Sequence, residues 1–173
     1  MPYDPHTHRR RSIRLPNYDY SQPGAYFITI CVQNHVCLFG KIINTQNGAE
    51  LELNAQGRMV NAVWNEIPER YPGLDLDEYI IMPNHFHAVV IFNACDQGSK
   101  YSLPDIVHRL KVFTTKRYAE GVKKNGWPGF PGRLWQRNYW ERVIRKEKEL
   151  EAIRDYIHHN PAKWEDDPLF VRS

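Results

Sequence analysis

Apolar and polar residues follow one another in patterns that predict strands in some segments and amphipathic helices in others. Residues 25–32 (AYFITICV) are rich in aromatic and β-branched side chains, which is typical of a buried strand. Residues 78–82 and 85–92 are two more strongly apolar runs, and only Pro83-Asn84 separates them. So short a connection joins antiparallel strands, so this pattern predicts a hairpin.

A second, weaker hairpin is predicted around Gln46-Asn47-Gly48. The flanking residues Lys41–Ile43 and Glu50–Leu53 alternate in polarity, and Asn-Gly adopts positive φ angles at low cost. Tyr139–Ile144 has the composition of a further strand.

Three segments show the apolar spacing of helices that bury one face. The first begins after Asn54, which can cap a helix, and ends before Tyr71-Pro72-Gly73. The second begins after Ser102, and the third spans about residues 146–159 and ends at Asn160-Pro161. The apolar faces comprise Val60, Val63, Trp64 and Ile67 in the first, Leu103, Ile106, Val107, Leu110 and Phe113 in the second, and Leu150, Ile153 and Ile157 in the third.

The main elements follow the order β-α-β-β-α-β, with a hairpin after the first strand and a helix after the last. This order is the split βαβ pattern of ferredoxin-like (RRM-like) domains. We therefore predict an α+β fold with an antiparallel sheet, helices packed on one face, and a further C-terminal helix. Without an internal repeat or a convincing linker, residues 1–173 are predicted to form a single domain, with residues 1–23 as a basic N-terminal arm.

Composition places the chain among ordinary globular proteins, with 42% hydrophobic and 25% charged residues. No apolar run approaches the roughly 20 residues of a membrane-spanning helix, so we expect no membrane contact. The cysteines Cys31, Cys37 and Cys95 lack the spacing of a metal site, which favours reduced thiols in a cytoplasmic protein.

Charge gives a weaker indication of the partner. The formal net charge is +3 with histidine counted as neutral, and basic residues are concentrated near the N-terminus. A basic arm can contact phosphates because neutralising them releases counterions. The alternative is a solvated tail with no partner.

The sequence His85-Phe86-His87 is the first candidate for chemistry. Because side chains alternate along a strand, both histidines project from one face, about 7 Å apart, and can converge on a divalent metal. On the last helix Asn160 could offer a third ligand, a carbonyl oxygen suited to Mg²⁺ or Mn²⁺. Tyr156 lies one helical turn before it and could attack a phosphate held there. Considered alone, the histidine pair also suits a half-exposed strand, and Tyr156 the edge of a core.

Three longer segments carry a resemblance to a known family: residues 18–34 (YDYSQPGAYFITICVQN), 79–92 (YIIMPNHFHAVVIF) and 135–164 (WQRNYWERVIRKEKELEAIRDYIHHNPAKW). They contain M-P-N-H-x-H, then W-Q-x-x-Y-W, then D-Y-I-x-x-N-P, in that order across nearly the whole chain. In these segments the chain resembles the REP-associated tyrosine transposases, relatives of the single-tyrosine HUH transposases of insertion sequences.

The resemblance implies a site and a reaction. His85 and His87 would bind the divalent metal, Asn160 would be the third ligand where some relatives have glutamine, and Tyr156 would be the nucleophile. The protein would cleave and rejoin single-stranded DNA through a 5′-phosphotyrosine intermediate without ATP. The expected substrate is a hairpin of a REP-like palindrome in the bacterial cytoplasm, on the nucleoid. The base that activates the tyrosine is not identified.

A homodimer is possible, since in insertion-sequence relatives the tyrosine helix can come from a partner subunit. Candidate phosphate contacts are the arm residues Arg9, Arg10, Arg11 and Arg14, together with Lys111, Lys116, Arg117 and Arg137. Tyr139, Trp140 and Trp127 could stack on bases, although core packing is the commoner role of such residues.

Other readings stay open at this point. A ferredoxin-like sheet can bind single-stranded nucleic acid without catalysis, although the chain has no aromatic signature of the RNP type. Asp75 and Asp77 could belong to a two-metal nuclease, but no third acid is evident. A histidine-based hydrolase would release its product without a covalent link to DNA.

Overall fold

The computed structural model describes residues 15–46, 48–94 and 101–171. The strands are β1 (Gly24–Cys31), β2 (Gly40–Thr45), β3 (Gly48–Leu53), β4 (Leu74–Ile81), β5 (His85–Phe92) and β6 (Trp140–Ile144). The α-helices are α1 (Ala55–Asn65), α2 (Ile67–Arg70), α3 (Leu103–Asn125) and α4 (Glu147–His159). Two short 3-10 helices span Gln33–His35 and Pro161–Asp166.

Four of the strands form an antiparallel sheet in the order β4-β5-β1-β6. β5 therefore lies between β1 and β4, the two strands that α1 connects, and this insertion defines the split βαβ arrangement. The predicted α+β, ferredoxin-like fold is confirmed. β2 and β3 form a separate hairpin, also as predicted.

The sheet has two different faces, because successive residues of its central strands point in opposite directions. On one face Tyr26, Ile28 and Phe86 belong to a large apolar core shared with α1 and α3. On the other face Val89 and Ile144 meet the apolar side of α4. Two helices thus pack on one face as predicted, and the C-terminal helix crosses the opposite face.

The ends of the helices follow from local chemistry. The side-chain oxygen of Asn54 accepts a hydrogen bond from the Gly57 amide at 2.9 Å, which caps α1 as predicted. Ile67 was expected in that same helix, but it begins α2. Pro68 follows it and cannot donate the backbone hydrogen bond that would continue α1.

The strand predicted at residues 78–82 begins earlier, at Leu74. Asp75 and Asp77 obscured its start because aspartate is rare in strands. Here both carboxylates have partners: Asn93 donates to Asp75 at 2.7 Å, and Arg154 donates to Asp77 at 2.6 and 2.8 Å. A register shift between Leu76 and Tyr79 also interrupts the alternation that sequence reasoning relies on.

Some sequence-based predictions fall outside the described residues. They concern the arm residues Arg9, Arg10, Arg11 and Arg14, together with Asn47 and Cys95. The single domain and its basic arm accordingly stay predictions.

Candidate active site

The histidine pair lies at the start of β5, on the face that α4 crosses. His85 pairs across the sheet with Cys31 and His87 with Thr29. Both side chains are buried, with exposed fractions of 0% and 3%, and their ring centroids are 4.5 Å apart. The alternation of the strand therefore brings the rings together inside the protein, while Phe86 between them enters the main core.

One nitrogen of each imidazole is held by a neighbouring side chain. Asn84 Oδ1 lies 2.8 Å from His85 Nδ1, and Thr29 Oγ1 lies 2.8 Å from His87 Nδ1. The Asn84 amide nitrogen donates to the backbone carbonyls of Leu169 (2.7 Å) and His35 (3.2 Å), so its oxygen is the acceptor that faces His85. His85 Nδ1 consequently carries the proton, and Nε2 presents a lone pair.

Burial keeps both imidazoles neutral near pH 7. It lowers the pKa of His85 to about 4, opposed by the negative charge of Asp167 and assisted by His35. Burial, with a contribution from His85, also holds the pKa of His87 well below its usual range. Neutral imidazoles with a free nitrogen are the form that ligates a metal.

Tyr156 projects from α4 toward this pair within one and the same chain. Its hydroxyl lies 3.3 Å from His87 Nε2, and its ring packs edge-on against Phe27 with centroids 6.1 Å apart. The side chain is 42% exposed, so solvent and a substrate can reach it. Burial of the hydroxyl and the negative charge of Asp167 raise the pKa of Tyr156, and a hydrogen bond from Asn160 lowers it.

The unpartnered polar atoms of the site fit a cation. Among the described residues, His85 Nε2 and Asn160 Oδ1 are buried without a hydrogen-bond partner, which is a costly state for a polar atom unless a ligand occupies the space. Asp167 adds a carboxylate, whose Oδ2 lies 3.9 Å from His85 Nε2. One ligand atom from each of His85, His87 and Asp167 can be chosen such that all lie within 4.8 Å of one another. This group could hold a divalent metal.

Sequence reasoning missed Asp167. It follows the helix stop at Asn160-Pro161, and only the 3-10 helix Pro161–Asp166 turns the chain back toward β5. The Leu169 amide donates to Asp167 Oδ1 at 2.7 Å, which leaves the other carboxylate oxygen directed at His85. The acidic run Glu165–Asp167 was the available signal, but a run of acids more often marks a solvated surface.

The basic residues that were predicted to contact phosphates differ in the partners that they have within the protein. The Lys111 ammonium donates to the carbonyls of residues 136–138 at 2.8, 3.3 and 3.2 Å, and Arg117 forms a two-point ion pair with Glu66. The Lys111 donors and two of the five Arg117 N–H groups are thus used within the protein, and a DNA contact of either residue stays a prediction. Lys116 and Arg137 line an open groove of about 670 Å³ beside α3, and Lys111 lies in the same groove.

The three candidate stacking residues also differ. Tyr139 is buried, with 6% exposed, and Trp127 packs against Tyr118 with ring centroids 5.4 Å apart. Trp140 is 52% exposed. Only the last of the three offers an open ring face.

The pair of acids considered for a two-metal nuclease does not form such a site. Asp77 is bound by Arg154 and Asp75 by Asn93, as described above. The Arg154 guanidinium lowers the pKa of the Asp77 carboxyl through its hydrogen bonds, as expected for a structural ion pair.

None of the helices in residues 15–46, 48–94 and 101–171 combines the length and apolar character required to cross a membrane.

Sequence comparison extends these observations to known proteins. Residues 49–160 match the profile of the family described as "Transposase IS200 like". An uncharacterized protein of Haemophilus influenzae is 39% identical over 186 aligned residues, which cover 98% of this chain and 97% of that protein. A REP-associated tyrosine transposase of Escherichia coli K12 is 25% identical over 121 residues, covering 70% of this chain and 64% of its own length.

Structural comparison agrees with the sequence. A solved REP-associated tyrosine transposase bound to a REP hairpin aligns with a TM-score of 0.60 and 19% identity, covering 87% of this chain and 73% of that one. At this identity the likeness establishes a shared fold.

Proposed function

The chain belongs to the IS200-like transposase family, and from this premise we propose that it cuts and rejoins single-stranded DNA beside a hairpin, with Tyr156 as the nucleophile. Membership, together with similarity to REP-associated tyrosine transposases, makes the protein a transposase and therefore an enzyme. The residues that perform the reaction, its intermediate and its metal are the subject of the proposal.

The observation that carries the proposal is the position of the Tyr156 hydroxyl, 3.3 Å from His87 Nε2. A tyrosine on the surface of an arbitrary helix would have no reason to approach a buried, neutral histidine pair. Here α4 brings a half-exposed phenol against it, where a DNA backbone can approach from solvent.

The residues that would hold a divalent metal, Mg²⁺ or Mn²⁺, are His85 and His87 with an oxygen of Asn160 or Asp167. Two imidazole nitrogens with amide and carboxylate oxygens form a donor set that suits such ions. When bound there, the ion would neutralise charge on an oxygen of the scissile phosphate.

The chain's own residues would perform the transfer in one exchange of bonds. The Tyr156 oxygen forms a bond to phosphorus, the bond from phosphorus to the 3′-oxygen breaks, and the 3′-oxygen takes a proton from water and leaves as a hydroxyl. The phenolic proton passes to water, which reaches the half-exposed side chain. The hydrogen bond from Asn160 favours the phenolate that attacks. A DNA 3′-hydroxyl later attacks the phosphotyrosine and restores the phosphodiester, so no ATP is needed.

The proposed substrate is a REP-like hairpin with an unpaired flank. It is suggested by the solved relative, which was bound to a REP hairpin. Lys116 and Arg137, on the groove beside α3, are the described residues that we retain as phosphate contacts. Arg9, Arg10, Arg11 and Arg14 stay predicted contacts of the basic arm.

We further propose that one chain suffices for cleavage, since Tyr156 reaches the histidines of its own chain. Mixing Tyr156→Phe with His87→Ala protein distinguishes this arrangement from a homodimer that exchanges helices. Neither variant, nor their mixture, should form a covalent adduct. Recovery of activity in the mixture would show that the tyrosine comes from a partner.

The direct test is a denaturing gel of a labelled hairpin DNA incubated with protein and Mg²⁺ or Mn²⁺. The wild type should give a covalent protein–DNA band, and Tyr156→Phe should give none. Tyr79→Phe removes a hydroxyl that contacts Asn61 on the opposite side of the sheet, and it should retain the band. Undiminished cleavage by Tyr156→Phe would reject the nucleophile, and cleavage without added metal in the presence of chelator would reject the metal.

A transposase must reach the chromosome. Cytoplasmic, nucleoid-associated placement in a bacterium therefore accompanies this proposal as a prediction, which fluorescence microscopy of a labelled protein can check.

A further inference from the structure

Trp140 and Arg142 occupy the same sheet face as the tyrosine and the histidines. In the register of the sheet, Thr29 lies between His87 on one side and Trp140 on the other, and it hydrogen-bonds to His87. Side chains directly opposite each other on neighbouring strands project from the same face. Since neighbouring strands are about 4.8 Å apart, the Trp140 backbone lies roughly 10 Å from that of His87.

Arg142 occupies the next position on that face. It lies opposite Phe27, whose ring packs against both His87 and Tyr156. Its guanidinium Nε contacts Glu149 at the start of α4 at 2.6 Å, and the Arg142 side chain is nevertheless 69% exposed. A guanidinium with one ion pair and a largely exposed side chain therefore lies beside the ring that packs against the tyrosine.

The path of α4 leaves this part of the face uncovered. The helix begins beside β6, where Glu149 meets Arg142, and reaches β4 where Arg154 meets Asp77. The first half of β6 lies off this diagonal, and the Trp140 ring is 52% exposed with no aromatic partner among the described residues. Trp140 and Tyr156 are the two aromatic side chains among the exposed large hydrophobic residues of the described chain.

We propose that Trp140 and Arg142 form a subsite for an unpaired nucleotide next to the scissile phosphate, with the Trp140 ring stacking on the base and Arg142 contacting a backbone phosphate. An exposed tryptophan beside an arginine suits an unpaired nucleotide because the base offers a flat apolar face and its phosphate a negative charge. The inference rests on the proposed function, since it names the part of the substrate that the same site would hold.

The test measures binding separately from chemistry. Full-length Tyr156→Phe protein is titrated with a fluorescently labelled hairpin DNA carrying an unpaired thymidine flank, and with the same hairpin carrying an abasic flank. Trp140→Ala and Trp140→Leu should weaken binding of the thymidine flank by about 5- to 150-fold, the range for one base stack, and Trp140→Phe should retain most of the affinity. On the abasic flank the three variants should bind with the same affinity as the Tyr156→Phe parent.

Arg142 is tested by the salt dependence of binding. Arg142→Gln should weaken binding of both flanks and reduce the slope of log K against log salt by about 0.7, as expected for one lost phosphate contact on a single strand. Glu149→Gln breaks the same ion pair without removing the positive charge, so it should not weaken binding. Equal losses in Arg142→Gln and Glu149→Gln would show that the ion pair is structural and would overturn the role of Arg142.

The outcomes separate the subsite from the proposed reaction. The subsite is rejected if Trp140→Ala binds the thymidine flank as well as the parent, or loses as much on the abasic flank. Because the Trp140 ring is half exposed, its removal should leave the fold intact, and thermal unfolding of Trp140→Ala checks that the binding comparison uses folded protein. If the wild type forms no covalent adduct while Trp140 dependence holds, the proposed reaction fails and the nucleotide subsite stands.

Discussion

The two faces of the sheet differ in the side chains that cover them. Below it, Trp64 and Phe86 pack with ring centroids 4.9 Å apart inside a large, almost wholly apolar core. Above it, the apolar cluster under α4 has five buried members and lies beside the buried polar side chains of His85, His87 and Asn160. One face thus supplies most of the hydrophobic free energy, while the other retains polar atoms at a cost. Such a cost is typical of functional sites.

The largest expected effect comes from neighbouring residues of β5 that point to opposite faces. Phe86→Ala should lower the free energy of unfolding by about 3–5 kcal/mol, because it leaves a cavity in the main core. His87→Gln should change it much less and should still abolish metal-dependent cleavage. Urea unfolding gives the free energy of unfolding of both variants, and the denaturing gel gives the cleavage. Equal destabilisation by the two variants would contradict the view that the core face supplies stability and the face under α4 supplies the reaction.

Metal binding should stabilise only through the upper face. At about 100 times its dissociation constant, Mn²⁺ should raise the free energy of unfolding by about 2.7 kcal/mol. Asp167→Asn and Asn160→Ala should each be compared with Asp166→Asn, an exposed neighbouring acid that should leave the gain unchanged. The variant that loses the gain identifies the oxygen ligand, and a gain that survives in His85→Gln would reject the site.

The pH dependence of the metal-free protein should also arise from the upper face. The pKa of His85 is lowered from its ordinary 6.5 to about 4, so the unfolded chain binds the proton first as pH falls. Stability is therefore fully present above about pH 6.5 and falls toward pH 4, by at most about 1.4 kcal/mol per pH unit for this one group. In His85→Gln the decline should be shallower when unfolding is measured across this range. An identical decline would assign it to other groups.

The smallest expected effect concerns the ion pair that attaches α4 to the sheet. Arg154→Met removes the contact with Asp77 and should cost about 1 kcal/mol, since the arginine is 37% exposed while the Asp77 carboxylate, 14% exposed, loses its partner. The rate of adduct formation should fall further than stability does, because Tyr156 lies two residues along the same helix. Arg145→Met, an exposed substitution just before α4, is the matched control for both measurements. Adduct formation at the wild-type rate in Arg154→Met would show that the ion pair does not position Tyr156.

The features of the two faces that depend on local sequence pattern could be predicted. The bounds of β5 and the spacing of Tyr156 and Asn160 follow from periodicities of two and 3.6 residues, so they were visible in the sequence. Asp167 was not, because its approach to His85 depends on how the chain turns after α4. No periodic pattern encodes that turn.

Which charged groups remain available could not be predicted from the sequence, for a similar reason. Lys111 and Arg117 have the composition of a DNA-binding surface, but their partners, the carbonyls of residues 136–138 and Glu66, are far away in sequence. A formal charge does not reveal which of its donors the folded chain already uses. The same holds for the aromatic residues. Trp140 is exposed and Tyr139 is buried, although the two are adjacent in sequence, and composition does not distinguish them.

The contacts of Lys111 have a consequence for the entropy of binding. Its ammonium holds three successive carbonyls, those of residues 136–138, and Trp140 begins β6 two residues later. The backbone that presents the tryptophan ring is thus already ordered in the free protein. A binding surface ordered in advance loses little conformational freedom when its ligand arrives, so more of the stacking energy remains as affinity. Through these three contacts Lys111 would strengthen the binding of a nucleotide at Trp140.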